Sequence, residues 1–428
     1  MIARIALAAL ALALAGPALA QEVAVINGKV VIGDGSPPID NATVLVRGGK
    51  VVAAGKGIAV PPGVKTIDAA GKWVTPGLVL AVTDLGLVDV GAVDESNDSG
   101  AEKAPFSAAL DISAAINPAA QPIAISRHAG VTRAAVAPLG TNAIFEGQGA
   151  VIDLGVDSRP VTVPRAFQYV ELGEDGARLA GGSRVAAYAV LRNALAEARE
   201  IAAAPAGSRR TDVLLTRGDA AALVPVVTGR QPLYVHVERA ADIRMALSLK
   251  SDFPLLRLVI VGASEGWLVA ADLAAAGVPV LATPLNDLPA RFEQLGATQS
   301  NVGRMAAAGV KVALGAYGGM SPAITQYAGN LVGLTRIPRA TGLTWDKAFA
   351  AISSGPAEAM GMGERFGSLR PGRAGDVVIW DGDPLEAQSG VVAVYIDGVE
   401  QPLGNHQSRL KERYATPGEG SLPKAYDW

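Results

Sequence analysis

Val74-Thr75-Pro76-Gly77-Leu78 marks the point where one kind of sequence gives way to another. Upstream lie short β-branched runs. Val23-Ala24-Val25-Ile26 and Lys29-Val30-Val31-Ile32 flank Asn27-Gly28, a dipeptide that favours a tight hairpin turn. Residues 42–46 and 51–54 flank a second turn at Gly48-Gly49-Lys50, and Ile67-Asp68 and Lys72-Trp73-Val74 follow. A β unit this small has too few strands to close its own core. The missing strands stand near the other end of the chain, at Asp376 to Trp380 and Val391 to Ile396, with Asp397-Gly398 as a turn. The simplest assembly is a small β-sandwich built from both chain ends, residues 21–76 with 366–402, and a separate domain inserted between them.

Downstream of Gly77, from residue 77 to 365, short apolar runs alternate with helical patterns. The expected strands are Leu78 to Val82, Val131 to Ala137, Asp212 to Leu215, Leu233 to His236, Leu258 to Val261, Val278 to Leu281 and Val312 to Leu314. Amphipathic stretches separate them: Arg184 to Ala203, Ala240 to Ser251, Gly266 to Ala276, Asn301 to Ala308 and Trp345 to Ser353. Ser183 and Thr344 stand where N-caps belong. This alternation predicts an α/β fold with a parallel sheet, closed as a (β/α)8 TIM-like barrel. A doubly wound sheet is the rival, weakened because no Gly-x-Gly-x-x-Gly follows a first strand. Residues 403–428 are polar and read as a tail over the surface.

Composition narrows the function. Half of the 428 residues are apolar and the formal charge is −3 with Lys and Arg dispersed, so no basic stripe offers itself to nucleic acid. The absence of cysteine excludes disulfides, thiolate metal sites and cysteine nucleophiles. At the start of the chain, Arg4 precedes an apolar run from Ile5 to Ala15, then Pro17 and Ala18-Leu19-Ala20. That is the pattern of a signal peptide over residues 1–20, cleaved before Gln21. The run is shorter than the roughly 20 apolar residues a membrane span needs. The expectation is a secreted protein, periplasmic in a host with two membranes and unattached to membrane after cleavage.

Three segments in order carry a family likeness: Val74 to Leu78, then Gly367-Ser368-Leu369-Arg370-Pro371-Gly372-Arg373-Ala374-Gly375-Asp376-Val377-Val378, then Ala393-Val394-Tyr395-Ile396-Asp397-Gly398. Together they resemble the amidohydrolase superfamily, in its imidazolonepropionase-like branch. Gly147-Gln148-Gly149 and Val235-His236 to Asp242-Ile243 agree with it. The resemblance implies metal-dependent hydrolysis of cyclic or other non-peptide C–N bonds, with ligands at the carboxyl ends of barrel strands. There a divalent ion such as zinc lowers the pKa of bound water. It further implies His-x-His on the first strand, single His on the fifth and sixth, and Asp on the eighth. Some members add a bridging Lys or Glu on an intermediate strand.

Laid on those positions, this sequence keeps little. The first-strand histidines are replaced by Val82 and Asp84, and the Asp before them by Leu80. His236 is retained on the fifth strand, Gly262 stands on the sixth, and Tyr317 takes the place of the eighth-strand Asp. Valine has no lone pair, and tyrosine ionises near pH 10. A catalytic divalent-metal site needs about three protein ligands. The other two of the three histidines, His128 and His406, fall at a helix end and in the tail. The expectation is therefore no resident metal, with His236, Asp84 and Tyr317 as the remnant catalytic positions. Gly262-Ala263-Ser264-Glu265-Gly266 matches a nucleophile elbow, but its only downstream histidine is His406; the plainer reading is a turn with Ser264 capping the next helix. Glu265 and Trp267, just past the sixth strand, are candidates to line a pocket, and the plainer reading is packing at that helix start. Two functions follow: a ligand-binding protein or partner of an intact paralogue (or of a second copy), and a C–N hydrolase with an atypical site.

Overall fold

The computed structural model describes residues 22–156, 159–205, 213–315 and 323–415. Five strands open the chain: β1 (Val23–Val30), β2 (Ile39–Arg47), β3 (Lys50–Gly55), β4 (Lys65–Asp68) and β5 (Trp73–Pro76). Eight more follow as a second sheet: β6 (Leu78–Thr83), β7 (Val131–Val136), β8 (Phe145–Asp153), β9 (Val161–Glu171), β10 (Leu233–Val237), β11 (Leu258–Gly262), β12 (Val280–Ala282) and β13 (Val312–Leu314). The chain then returns through β14 (Val377–Trp380), β15 (Val391–Ile396) and β16 (Val399–Gln401).

The first and last groups form one sheet, in the order β16-β15-β14-β5-β1-β2-β3 with β4 also paired to β1. The two chain ends thus share a sheet, as the sequence predicted. Asn27-Gly28, read as a hairpin turn, is instead a kink inside a continuous β1. Residues 23–26 pair in parallel with β4, and residues 29 and 30 pair with β5. Asn27 takes a positive φ of 54°, and a Cβ on Gly28 would fall 2.6 Å from Val74 Cγ2. The dipeptide lets one strand serve two partners, so what forms is a single branching sheet.

The middle strands run in the order β6 to β13, and a parallel bridge between Ala81 and Gly315 brings the two edges together as a barrel. Side chains alternate with the period of a strand. Val79, Ala81, Phe167, Tyr169, Tyr234, Val259, Val261, Leu281 and Ala313 fill the interior, while Leu78, Leu80, Leu258 and Ile260 face the helices. Phe167 and Tyr234 stack at 4.1 Å within that interior.

The barrel departs from an all-parallel one. β8 is antiparallel to both neighbours, so β7, β8 and β9 form a meander. The sequence reading missed β8 and β9 and expected a strand at Asp212 to Leu215. There, residues 213–215 are a non-strand segment leading into the helix Arg217–Val227, with Val213 and Leu214 exposed. The helices Arg184–Ala203, Ala240–Asp252 and Asn301–Ala307 lie where expected. Ser183 caps the first through Val185 N, whereas Thr344 makes no capping hydrogen bond. The tail begins with a helix, His406–Tyr414, closed by an Asn405–Ser408 capping box. Among the described residues no helix is long and apolar enough to cross a membrane.

Candidate functional site at the carboxyl ends of the strands

The strand period decides which side chains reach the barrel mouth. Phe167 and Tyr169 point inward on β9, so Glu171 does too; Tyr234 points inward on β10, so His236 and the next alternate residue, Glu238, follow. Adjacent parallel strands then set His236 beside Glu171 in register. His236 Nδ1 lies 2.6 Å from Glu171 Oε2, and Nε2 lies 3.3 Å from Glu238 Oε1.

Carboxylates on both sides of the imidazole favour its protonated form. Burial alone would lower the His236 pKa, but the charge and hydrogen bond of Glu171, followed by those of Glu238, raise it well above 6.5. Burial pushes the Glu238 carboxyl up, and its bonds to His236 and Ser264 more than reverse this, so it ends below its ordinary value. Glu238 also accepts from Ser264 N at 2.7 Å and Gln294 Nε2 at 3.3 Å. A carboxylate so well supplied with donors is a weak base.

Loops after β9 and β12 close around this cluster. Glu293, its side chain 1% exposed, accepts from Glu174 N at 2.7 Å and from Arg184 Nη2 at 3.0 Å. Arg184 Nε also reaches Asp242 at 2.9 Å, and Arg291 pairs with Asp175. Two clefts result, of about 220 Å³ beside His236 and about 560 Å³ beside Glu171, with Asp175 lining both. Glu146 of β8 lines the larger one. Burial raises its pKa to about 7, against the opposing pull of hydrogen bonds from Thr141 N and Gly140 N.

Of the residues singled out in the sequence, His236 and Gly262 come together. A Cβ on Gly262 would fall 2.9 Å from the Glu238 carboxyl carbon and 2.9 Å from His236 Cδ2. Asp84 stands just beyond the end of β6, partly exposed. Val82 is fully buried in the barrel interior at a φ of 60°, a strained conformation for a β-branched residue. Tyr317 lies outside the described residues. His128 ends the helix Gln121–His128, with Nδ1 2.9 Å from Leu403 O, and His406 starts the last helix.

Ser264 does not cap the following turn: the N-cap position is Glu265, which accepts instead from Ala240 N and Gly296 N, both at 2.9 Å. Trp267 donates from Nε1 to Gly296 O. Both residues brace the loops, as the packing reading expected.

The donor set does not fit a divalent ion. Val82 and Gly262 supply no lone pair, and both ring nitrogens of His236 face carboxylates. Among the described residues no group of three His, Asp or Glu side chains is placed to hold a metal. Glu171 and Glu238 escaped the sequence reading. Glu238 could have been found from its spacing two residues beyond His236, whereas Glu171 required recognising β9.

Gly262→His, which puts a histidine where the resemblance implies a sixth-strand ligand, is expected to cost about 1–3 kcal/mol through positive-φ strain alone. The added side chain must also displace Glu238 or His236. Thermal unfolding with and without zinc checks this: the variant melts lower, and zinc gives no recovery.

A profile of the amidohydrolase family (Amidohydro_3) matches residues 264–400. A curated relative, the amidohydrolase tasK of Hapsidospora irregularis, is 42% identical over 60 residues, 14% of this chain, and the match spans only 6% of that protein. Among solved structures, an amidohydrolase from Thermotoga maritima MSB8 superposes with a TM-score of 0.77 at 26% identity, over 88% of this chain and 99% of its own. An N-isopropylammelide isopropylaminohydrolase from Burkholderia multivorans aligns at TM-score 0.52 and 18% identity, over 89% of this chain and 98% of its own. A prolidase solved with N-methylphosphonate-L-proline aligns at 0.54 and 16%, over 89% and 99%. The last two are likenesses of fold.

Proposed function

We propose that this chain is an amidohydrolase-superfamily member that has given up metal-hydroxide hydrolysis and uses the barrel mouth to bind a small ligand, as an exported binding protein or as the partner of a catalytically intact relative. The observation that carries this reading is the Glu171–His236–Glu238 clamp, which engages both nitrogens of the one retained family histidine. The loop ties through Glu293, Arg184 and Arg291 support it, because they preorganise a cleft without assembling a nucleophile.

The test combines metal content with turnover. Mature protein is loaded with zinc or manganese, dialysed, and assayed on dipeptides, hydantoins and lactams. The proposal expects metal far below one equivalent and no turnover above buffer. Near-stoichiometric metal that survives dialysis, with activity lost on chelation, contradicts it.

A second reading keeps C–N hydrolysis without a metal, and it is favoured by Glu146. A carboxyl with a pKa of about 7 in the larger cleft is poised for general acid–base work at neutral pH. Chelator-insensitive turnover that disappears in Glu146→Gln selects this reading over the first.

A further inference from the structure

The cleft beside Glu171 carries more negative charge than the protein balances there. Its volume is about 560 Å³, and Glu102, Glu146, Glu171 and Asp175 line it against a single arginine, Arg178. These acids are not equally engaged. Asp175 meets Arg178 at 3.6 Å and also pairs with Arg291. Glu171 shares the His236 ring with Glu238. Among the described residues, neither Glu146 nor the exposed Glu102 forms an ion pair.

Glu146 is placed there by an irregularity in its strand. Phe145 pairs with Val170 and Gly147 with Tyr169, so Glu146 is the extra residue of a β-bulge, a device that re-aims a side chain. Gly147 takes up the distortion at a φ of 123°, and a Cβ there would fall 2.9 Å from Leu110 O. The Glu146 residue is only 5% exposed, yet it lines the cleft. Gly140 N and Thr141 N both donate to its Oε2, which leaves Oε1 without a donor among the described residues. An amide oxygen would accept the same two bonds without burying a charge, so holding the loop does not explain a carboxyl at this position. Burial and the neighbouring Glu171 charge push that carboxyl up to about 7, the behaviour of an acid that lacks a cationic partner.

We propose that this cleft binds a small organic cation bearing a primary ammonium group, held at Glu146 Oε1 and in the field of Glu171. The assignment rests on the reading above that the barrel mouth takes a small ligand, and it fixes the sign of that ligand's charge. The ammonium supplies the counter-charge and the donor that Glu146 lacks.

Isothermal titration calorimetry of the mature full-length protein tests this with 1,4-diaminobutane, against 1,4-butanediol and succinate as neutral and anionic counterparts. Saturable binding of the diamine alone is expected. A cation favours the ionised carboxyl, so affinity should rise by about tenfold from pH 6 to pH 8 while the amine stays protonated. The proton that Glu146 releases below pH 7 makes the measured heat depend on the buffer's ionisation enthalpy. Glu146→Gln keeps an acceptor for Gly140 N and Thr141 N; it should weaken binding by about tenfold at pH 8 and flatten the pH dependence. Glu95→Gln, exposed and outside the cleft, is the control for general attraction to an acidic surface and should change neither. Circular dichroism verifies that each variant is folded, and Glu102→Gln, at an exposed position on the same cleft, repeats the test with a smaller loss. Saturable binding of the diol or succinate in place of the diamine would leave the ligand-binding reading standing and overturn the charge assignment. Absence of saturable diamine binding, an equal loss in Glu95→Gln, or affinity that falls as pH rises would each overturn it too. The metal-content test above is read independently of this titration.

Discussion

Replacing Arg133 with methionine is expected to lower the unfolding free energy by about 3–5 kcal/mol, the range for stripping one partner from a buried ion pair. Arg133 lies on β7 with its side chain 6% exposed. It meets Asp376 in two hydrogen bonds, from Nε at 2.7 Å and Nη2 at 2.9 Å. Nη2 also reaches Asp397 at 2.8 Å. Asp376 introduces β14 and Asp397 sits in the turn between β15 and β16, so one guanidinium ties the barrel to the strands that return from the end of the chain. Removing it leaves the Asp376 carboxylate buried at 3% exposure beside a methyl thioether. Arg133→Lys should recover only part of the loss, because an ammonium cannot make the paired bonds. Asp376→Leu combined with Arg133→Met should be milder than Arg133→Met alone, since no buried charge at Asp376 is then stranded. Denaturant unfolding of the four proteins checks the order. Equal stability of wild type and Arg133→Met would contradict the assignment of the clamp.

His236→Gln is expected to show a comparable loss near pH 6, again about 3–5 kcal/mol, because Glu171 and Glu238 then face one another without the cation between them. The pH dependence has a definite sign. The folded-state pKa of His236 is raised above its unfolded value. Its stabilising contribution is therefore complete below about 6.5, the unfolded value. It is lost as pH rises through the folded value. The gap between wild type and His236→Gln should narrow through the alkaline range. A gap that widened with pH would mean a neutral ring, and the clamp would have been misread.

The family segments Val74 to Leu78 and Gly367 to Val378 were legible because they combine turn chemistry with β-branched runs. They placed the inserted barrel and the shared end sheet. The meander was hidden for a physical reason. Phe145–Asp153 is buried on both faces, so it lacks the alternation of a half-exposed strand. It also carries Gly147 and Gly149, residues that weaken a strand pattern. Gly149 is required because a Cβ there would fall 2.1 Å from the Phe167 ring. Val161–Glu171 was obscured by Pro164 and Arg165, and with it went Glu171. Val82 and Gly262, at positions where the resemblance implies histidines, were visible from the sequence. That two carboxylates occupy the space around His236 depended on register between β9 and β10, which no local pattern carries. Asn27-Gly28 fails in an instructive way: a dipeptide that favours a turn also serves a strand that must change partners.

The protonation state of His236 can be read directly from the ring nitrogen-15 shifts, and with three histidines in the chain, comparison with His236→Gln assigns the signals. At pH 7.5, before and after one equivalent of zinc, both nitrogens are expected at imidazolium positions, unmoved by the metal. A neutral ring whose Nδ1 or Nε2 shifts on adding zinc would show instead that this barrel still holds an activating ion.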